Sequence, residues 1–379
     1  MISLTLSFEA LFINDHTWGD TCMGNAISVI VPIFNAEKWL LRCVNRILNQ
    51  PFRDIEVLLV NDGSTDRSGA ICDELALVDA RIKVIHKSNS GTSNTKNVGI
   101  MASSGKYIAF LDADDEIDEL FFVKLYATAE EHDCEVVISG YETVPTGLRI
   151  SPQYRLHSLL NGKDLILSAA AVHSDNDLCF AWRSLFLRES LERNVVKFHE
   201  GLTIGEDTIF HLEALLAAER AYALPDTLYF YTVNNLDSLM SSPYKPYLEK
   251  SLILQYELRK RISEEFGLYA HSHFKRDMAA YHIGSILSML IRNFKNSPMP
   301  VTKADLIRIL NLEMITNSTS VLGYRYKCSS LKEYLYYLSI KFKLAAVLYN
   351  WEFNTPLITS LLPFRITEKS KPVNDRTIR

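Results

Sequence analysis

Three carboxylates fall within four residues at the end of an apolar run, Tyr107-Ile-Ala-Phe-Leu-Asp-Ala-Asp-Asp115, the stretch of this chain best equipped for chemistry. Between Lys106 and Leu111 the residues are β-prone and almost wholly apolar, as in a strand buried on both faces of a parallel sheet. Carboxylates at the carboxyl end of such a strand lie where open α/β sheets bind ligands. Asp112 and Asp114, two apart, project together if the strand stays extended, and a turn there changes their angles. Oxygen ligands this hard suit Mg2+ or Mn2+ held jointly with a substrate diphosphate. The competing account makes Asp115 and Glu116 the N-terminal charges of a following helix.

Neighbouring elements must hold that strand in place, and strands alternate with helices on either side of it. Residues 27–34 are a β-branched apolar run, and 37–49 have helical spacing with Trp39, Leu40, Val44, Ile47 and Leu48 on one side, stopped by Pro51. A second strand over 54–60 enters the polar turn 61–66, where Ser64 or Thr65 could cap a helix over 66–78. A third strand over 82–86, a loop over 87–92 and a helix to about 102 precede the acidic strand, which is the fourth. A helix over 117–132 and a fifth strand over 135–140 follow. Short alternation of this kind predicts a parallel sheet with right-handed crossovers.

Beyond it, 141–160 carries Pro145, Gly147 and Pro152 and reads as a loop or hairpin, and 162–172 as a helix. Residues 177–186, with Trp182, return to the sheet; Gly205-Glu-Asp-Thr208 opens a helix to 218; short strands over 221–224 and 228–232 flank Pro225-Asp226. Past Met240 the pattern is helical, over 247–266, 271–294, 303–312 and 331–351, which places a domain boundary near 240.

With 379 residues, 47% hydrophobic and 22% charged, the chain can bury a large core. A net charge of -5 argues against a general nucleic-acid binder. Six cysteines lie far apart without zinc or C-x-x-C spacing, which fits buried thiols in a reducing cytosol. No apolar run reaches the roughly eighteen residues of a membrane span. Residues 1–25 form a leader without signal-peptide character, since Glu9 interrupts its apolar part; with Met23 just before the first strand, it is expected to be a disordered or mis-assigned extension.

In order along the chain, Val31-Pro-Ile-Phe-Asn35, Val60-Asn-Asp-Gly-Ser-Thr-Asp66, the segment 89–99, Phe110 to Asp115 and Glu206-Asp207 together resemble the family 2 glycosyltransferases, inverting enzymes with a GT-A fold. These segments are similar to the family's V-P-x-Y-N, V-[DN]-D-G-S-x-D, N-x-G-x-x-x-A-R-N-x-G, D-x-D-D and E-D. The resemblance covers roughly 27–240 and implies a GT-A, Rossmann-like domain over 26–240, a mostly parallel sheet flanked by helices, followed by a helical region over 241–379. By resemblance, Asp62 hydrogen-bonds the nucleotide base, Asp112 the ribose, and Pro32 and Phe34 line the base-binding wall. Asp114 holds a divalent ion, Mn2+ or Mg2+, that bridges the diphosphate, and Asp207 deprotonates the acceptor hydroxyl. A dianionic leaving group needs that neutralisation, and inversion in one displacement needs a base rather than a nucleophile.

Other readings of the same residues stand beside these. Asp62 before Gly63 is a common turn pair, and Asp207 after Glu206 could supply helix-start electrostatics. Trp182 could stack on an acceptor sugar or fill core, the latter preferred. Thr95-Lys96-Asn97 stands where the family has Ala-Arg-Asn, so any nucleotide or phosphate contact by Lys96 is a point charge instead of a planar fork. Arg183-Ser184 follows Trp182 where many relatives have Asn-Lys.

The resemblance implies transfer from a nucleoside diphosphate sugar, UDP expected, to a saccharide or lipid-diphosphate-linked acceptor in surface polysaccharide synthesis, in the cytoplasm. The alternatives are a nucleotidyltransferase-like enzyme, or a nucleotide-sugar-binding scaffold that no longer catalyses. The aromatic, basic segment 331–364 is either an amphipathic stretch on an anionic membrane at the inner face of the plasma membrane or helices packed on the catalytic domain.

Overall fold

The computed structural model describes residues 25–233 and 244–354. The leader at 1–24, the expected boundary near 240 and residues 355–364 of the C-terminal segment lie outside the described residues.

Apolar residues alternate along the first strands so that each strand feeds two cores. β1 (Ile27–Ile33), β2 (Ile55–Asp62), β3 (Ile82–Lys87) and β4 (Tyr107–Phe110) are parallel, in the spatial order β3-β2-β1-β4. Val29 and Val31 of β1, Val57 and Leu59 of β2, and Tyr107 and Ala109 of β4 enter one apolar cluster. Their neighbours Ile30, Leu58, Val60, Ile108 and Phe110 enter a second on the opposite face. The first cluster is covered by α1 (Leu40–Leu48) and α2 (Ser68–Val78), while α3 (Thr92–Ala102) packs Val98 and Ile100 on the second.

After β4 the chain departs from the parallel progression. Residues 116–117 form a short strand, β5 (Glu116–Ile117), and α4 (Phe121–His132) begins only at Phe121. The expected helix-start role of Asp115 and Glu116 therefore fails: Asp115 is buried, and Glu116 pairs with Arg42 and Arg46 of α1 at 3.2 and 2.8 Å. β6 (Val136–Val144) and β7 (Leu148–Ile150) make the hairpin expected over 141–160. The fifth strand of the alternation does not lie beside the fourth, because β8 (Ser184–Leu187) inserts antiparallel to both, giving Leu185 to one core and Phe186 to the other. β9 (Ala221–Thr232) is one strand where two were expected. Its pairing with β6 steps from Ala223 opposite Ile138 to Thr227 opposite Gly140, and Pro225 occupies that irregularity, where no ladder donor is required. Among the described residues the nine strands make one mixed sheet, β3-β2-β1-β4-β8-β6-β9-β5, with β7 on β6.

Helices α5 (Gly162–Ser168), α6 (Arg188–Arg193) and α7 (Glu206–Ala217) close the second core through Leu165, Leu191, Phe210 and Leu215. α8 (Leu248–Glu265) joins it through Leu258 and Ile262 while placing Leu248, Leu252 and Tyr256 in a third cluster. That third cluster is built by α9 (Ser272–Tyr281), a π turn over His282–Ile286, α10 (Leu287–Lys295), α11 (Lys303–Leu310), α12 (Glu313–Leu322), α13 (Leu331–Lys341) and α14 (Ala345–Tyr349). α12 is not expected from the sequence because its run Thr316 to Ser320 is polar with low helix propensity; Met314, Ile315 and Leu322 hold it by packing. The single helix expected over 331–351 breaks after Lys341, where Lys343 adopts φ 54°. Among the described residues no helix is long and apolar enough to cross a membrane.

Candidate active site

The loops leaving β1 and β2 are tied to each other by polar side chains. Asn35, at φ 52°, accepts from the Thr65 amide at 2.8 Å and gives its own amide to Ser64 Oγ at 3.0 Å. Ser68 Oγ accepts from the Ala36 amide, and Asp66 from that of Glu37. Ser64 and Thr65 are thus spent on the neighbouring loop instead of capping a helix, and α2 starts later, at Ser68, whose amide binds Asp66 Oδ1 at 2.9 Å. Pro32 is the penultimate residue of β1, and Phe34 stands half exposed just after it.

Asp62 ends β2 and is buried. Its two oxygens accept from the amides of Ser90 and Gly91 at 2.8 and 2.9 Å, and Lys87 donates to it as well. Gly63 follows at φ 68°, and a Cβ there would stand 2.8 Å from the Asn89 nitrogen, so only glycine lets the 87–91 loop settle on the end of β2. Lys87, not among the residues expected from the sequence, carries the link on to Thr95 of α3 at 3.5 Å.

Beyond Phe110 the chain turns: the Asp115 amide bonds the Asp112 carbonyl at 3.1 Å, so Asp112 and Asp114 leave a turn and not an extended strand. The end of β9 clamps this turn. Tyr229 donates its hydroxyl to Asp115 at 2.9 Å and accepts from the Asp112 amide at 3.3 Å; Thr232 gives its amide to Asp115 and its hydroxyl to the Asp114 carbonyl at 2.7 and 2.8 Å. Burial, then Asp112 and Asp114, hold the Asp115 carboxyl well above the usual carboxylate range. Trp182 is buried and stacks on Tyr229 at 4.0 Å, the packing role preferred for it.

Across the turn stands the first turn of α7. Gly205 takes φ 82°, and the side chain of Gln255 from α8 fills the place where a Cβ would stand. Lys96, buried on α3 beneath the Phe198 ring, reaches Asp207 Oδ1 at 2.6 Å and Glu206 Oε1 at 3.8 Å. Asn97 fixes the approach by exchanging two 2.8 Å hydrogen bonds with the backbone of Phe198. Burial alone would lower the Lys96 pKa; the charges of Asp207, Asp112 and Glu206 outweigh it and hold the ammonium above its usual range. Burial raises Asp112 to about 6, with Lys96 opposing and Asp207 and Asp114 adding to the rise. Burial raises Glu206 to about 7, with Asp207 adding to the rise and Lys96 opposing.

Asp112, Lys96 and Asp207, named from three separate motifs, thus share one electrostatic site, which also takes in Glu206, while Asp62 sits at the end of β2, two strands from β4, bound to its own loop. Glu206 and Tyr229 were not foreseen as site residues. Glu206 stood in the E-D pair of the resemblance, but nothing in the sequence signals that Tyr229 would reach back to Asp115.

A family model, Glycosyl transferase family 2, matches residues 28–194. The glycosyltransferase EpsJ of Bacillus subtilis strain 168 is 35% identical over 294 residues, 76% of this chain and 84% of that protein. The chain belongs to glycosyl transferase family 2. A Campylobacter jejuni protein named GalNAc(5)-diNAcBac-PP-undecaprenol beta-1,3-glucosyltransferase is 28% identical over 71% of this chain and 84% of its own. Among solved structures, S. aureus TarS 1-349 in complex with UDP-GlcNAc superposes with a TM-score of 0.60 at 22% identity, covering 86% of this chain and 91% of that one. That likeness shows the GT-A fold expected from the resemblance.

Among the described residues no three His, Cys, Asp or Glu side chains gather closely enough to hold a metal ion by themselves. The donor chemistry still fits a hard divalent cation. Asp112, Glu206 and Asp207 surround Lys96, Asp114 stands beside Asp112, and an ion needing only one or two carboxylates plus substrate phosphates suits this acidic excess.

Proposed function

We propose that this family 2 glycosyltransferase moves a sugar from a nucleoside diphosphate sugar, with UDP the expected nucleotide, to a saccharide hydroxyl with inversion at the anomeric carbon. The observation that carries the reading is the carboxylate of Asp207, opening α7 opposite Asp112 with Lys96 between them. The acceptor oxygen attacks the anomeric carbon, the bond from that carbon to the diphosphate oxygen breaks, and the acceptor proton passes to Asp207. Asp112 would bind the ribose, Pro32, Phe34 and Asp62 the base, and Lys96 would hold Asp207 in position. Asp114 would hold Mn2+ or Mg2+, which when bound supplies Lewis-acid stabilisation of the leaving diphosphate.

The acceptor in this reading is a growing surface polysaccharide, carried on a lipid diphosphate at the cytoplasmic face of the plasma membrane. It is supported by the name of the Campylobacter relative, whose acceptor is an undecaprenyl diphosphate glycan. A scaffold that binds the donor without catalysis is favoured by one observation, the ion pair that already occupies Asp207. Release of UDP from a panel of UDP-sugars with Mn2+ and a pool of saccharide acceptors separates the two. Asp114→Asn should abolish any Mn2+ dependence of that release; unchanged Mn2+ activation in this variant would remove Asp114 from the metal role.

A further inference from the structure

Helix α13 is amphipathic in the reverse sense to its neighbours. Tyr337 and Ile340 face inward and are buried in the third core. Leu331, Leu335, Leu338 and Phe342, spaced at i, i+4, i+7 and i+11, share the opposite face. Leu331 is 75% exposed, Leu335 48% and Phe342 53%, whereas Leu338 is half-buried and packs against the third core. Tyr324, 65% exposed, extends the surface, its ring centre 6.4 Å from that of Phe342. Leu344 and Val347 stand exposed shortly after. Single exposed apolar residues need no explanation; three in register along the outer face of one helix, with Tyr324 beside them, do.

The charges around this stripe have one sign. Lys332 and Lys341 flank it and Lys343, whose ammonium donates to Asn311 Oδ1 at 2.5 Å, follows, whereas the one acidic residue of α13, Glu333, turns to the helix start and accepts from the Ser329 amide and hydroxyl at 2.6 and 2.7 Å. The Lys341 ammonium lies 5.0 Å from the Tyr324 ring centre and donates to the Thr319 carbonyl at 3.4 Å, which sets the charge at the edge of the apolar surface. An apolar centre with a cationic margin is complementary to a bilayer bearing negative headgroups.

We propose that this face of α13 docks on an anionic phospholipid surface, with Leu331, Leu335, Phe342 and Tyr324 at the acyl boundary and Lys332, Lys341 and Lys343 at the level of the lipid phosphates. It deepens the reading above, resting on it only for its purpose, by naming where the enzyme meets its membrane. Lipid binding needs neither donor nor acceptor, so its failure leaves sugar transfer standing and the reverse.

The test is co-sedimentation of the full chain with vesicles of phosphatidylcholine, alone or with about a third phosphatidylglycerol. We expect binding to the mixed vesicles, weaker at about 0.5 M salt, and little to the neutral ones. Leu335→Glu with Phe342→Glu should lower the partition coefficient at least about tenfold, and Lys332→Gln and Lys343→Gln about fivefold each. Melting curves report whether each variant folds; Leu331→Ser with Leu335→Ser is a milder pair for the same comparison. Wild-type binding unaffected by either apolar pair overturns the proposal. So does self-association that the apolar variants abolish while lipid binding persists, which would assign the face to a second copy. A chain ended at Asn354 that loses all binding, with the apolar pairs binding normally, overturns it too.

Discussion

The ammonium of Lys96 lies 2.6 Å from the carboxylate of Asp207, joining α3 to the first turn of α7 across 111 residues of sequence. In the base role proposed for it, Asp207 would be oriented before substrate arrives and would have to exchange or share its partner in order to take a proton. Asp207→Asn should lower transfer by about 10²- to 10⁴-fold while leaving the thermal shift produced by UDP-sugar with Mn2+ intact. Full activity in that variant would remove Asp207 from the base role. Lys96→Met strips one cation from three carboxylates, and one-sided loss of a buried ion pair costs about 3–5 kcal/mol; calorimetry should show a melting point lower by several degrees.

Glu206 carries a pH signature. Burial and Asp207 lift its pKa to about 7 against an ordinary value of 4.5. Between those values the folded chain binds more protons than the unfolded chain, so this group's contribution to stability declines as pH rises through the window and is constant above it. Glu206→Gln removes the penalty. Its melting point should exceed that of the wild type by about 2–4 °C near pH 8 and converge on it near pH 4.5. An offset equal at both pH values would contradict the assignment.

Asp62 organises a loop before it can bind any base. Asp62→Ala leaves the amides of Ser90 and Gly91 and the ammonium of Lys87 without their shared acceptor. We expect a stability loss of about 2–3 kcal/mol and faster hydrogen exchange at Ser90 and Gly91, with the Michaelis constant for donor rising more than turnover falls. Exchange rates unchanged from wild type would show that the loop is held by something else.

Tyr229→Phe isolates the clamp on the acidic turn. The hydroxyl serves both Asp115 and the Asp112 amide, and the ring stays stacked under Trp182 after its removal. Leaving Asp115 with the Thr232 amide alone should cost about 1–3 kcal/mol and weaken Mn2+-dependent donor binding. Trp182→Phe keeps the hydroxyl and loses part of the stack, so its effect on donor binding should be smaller. A larger loss of donor binding from the tryptophan variant would show that the ring, and not the hydroxyl clamp, supports the donor site.

Strand and helix periodicity made β1 to β4, their flanking helices and most of the C-terminal helices legible, because each of those segments buries a face that its own sequence declares. The acidic turn, the N-D-G-S turn and the start of α7 were legible as motifs for the same reason: turn chemistry and helix-start carboxylates act within a few residues. Local patterns missed whatever depended on distant partners. Ser64 and Thr65 looked like helix caps and became the fastening between two loops; Asp115 looked like a helix-start charge and became a buried acceptor for Tyr229 and Thr232.

The sequence by itself determined that Asp62 and the Asp112–Asp114 pair would stand at the carboxyl ends of strands of one parallel sheet, since strand direction and crossover hand follow from local alternation. Only the tertiary structure decided that β8 would enter between β4 and β6, that Lys96 would face Asp207, and that the apolar side of α13 would be left uncovered. Pairing across a hundred residues depends on which buried charges and faces meet once the chain has collapsed, and periodicity within a single element carries no record of its partner.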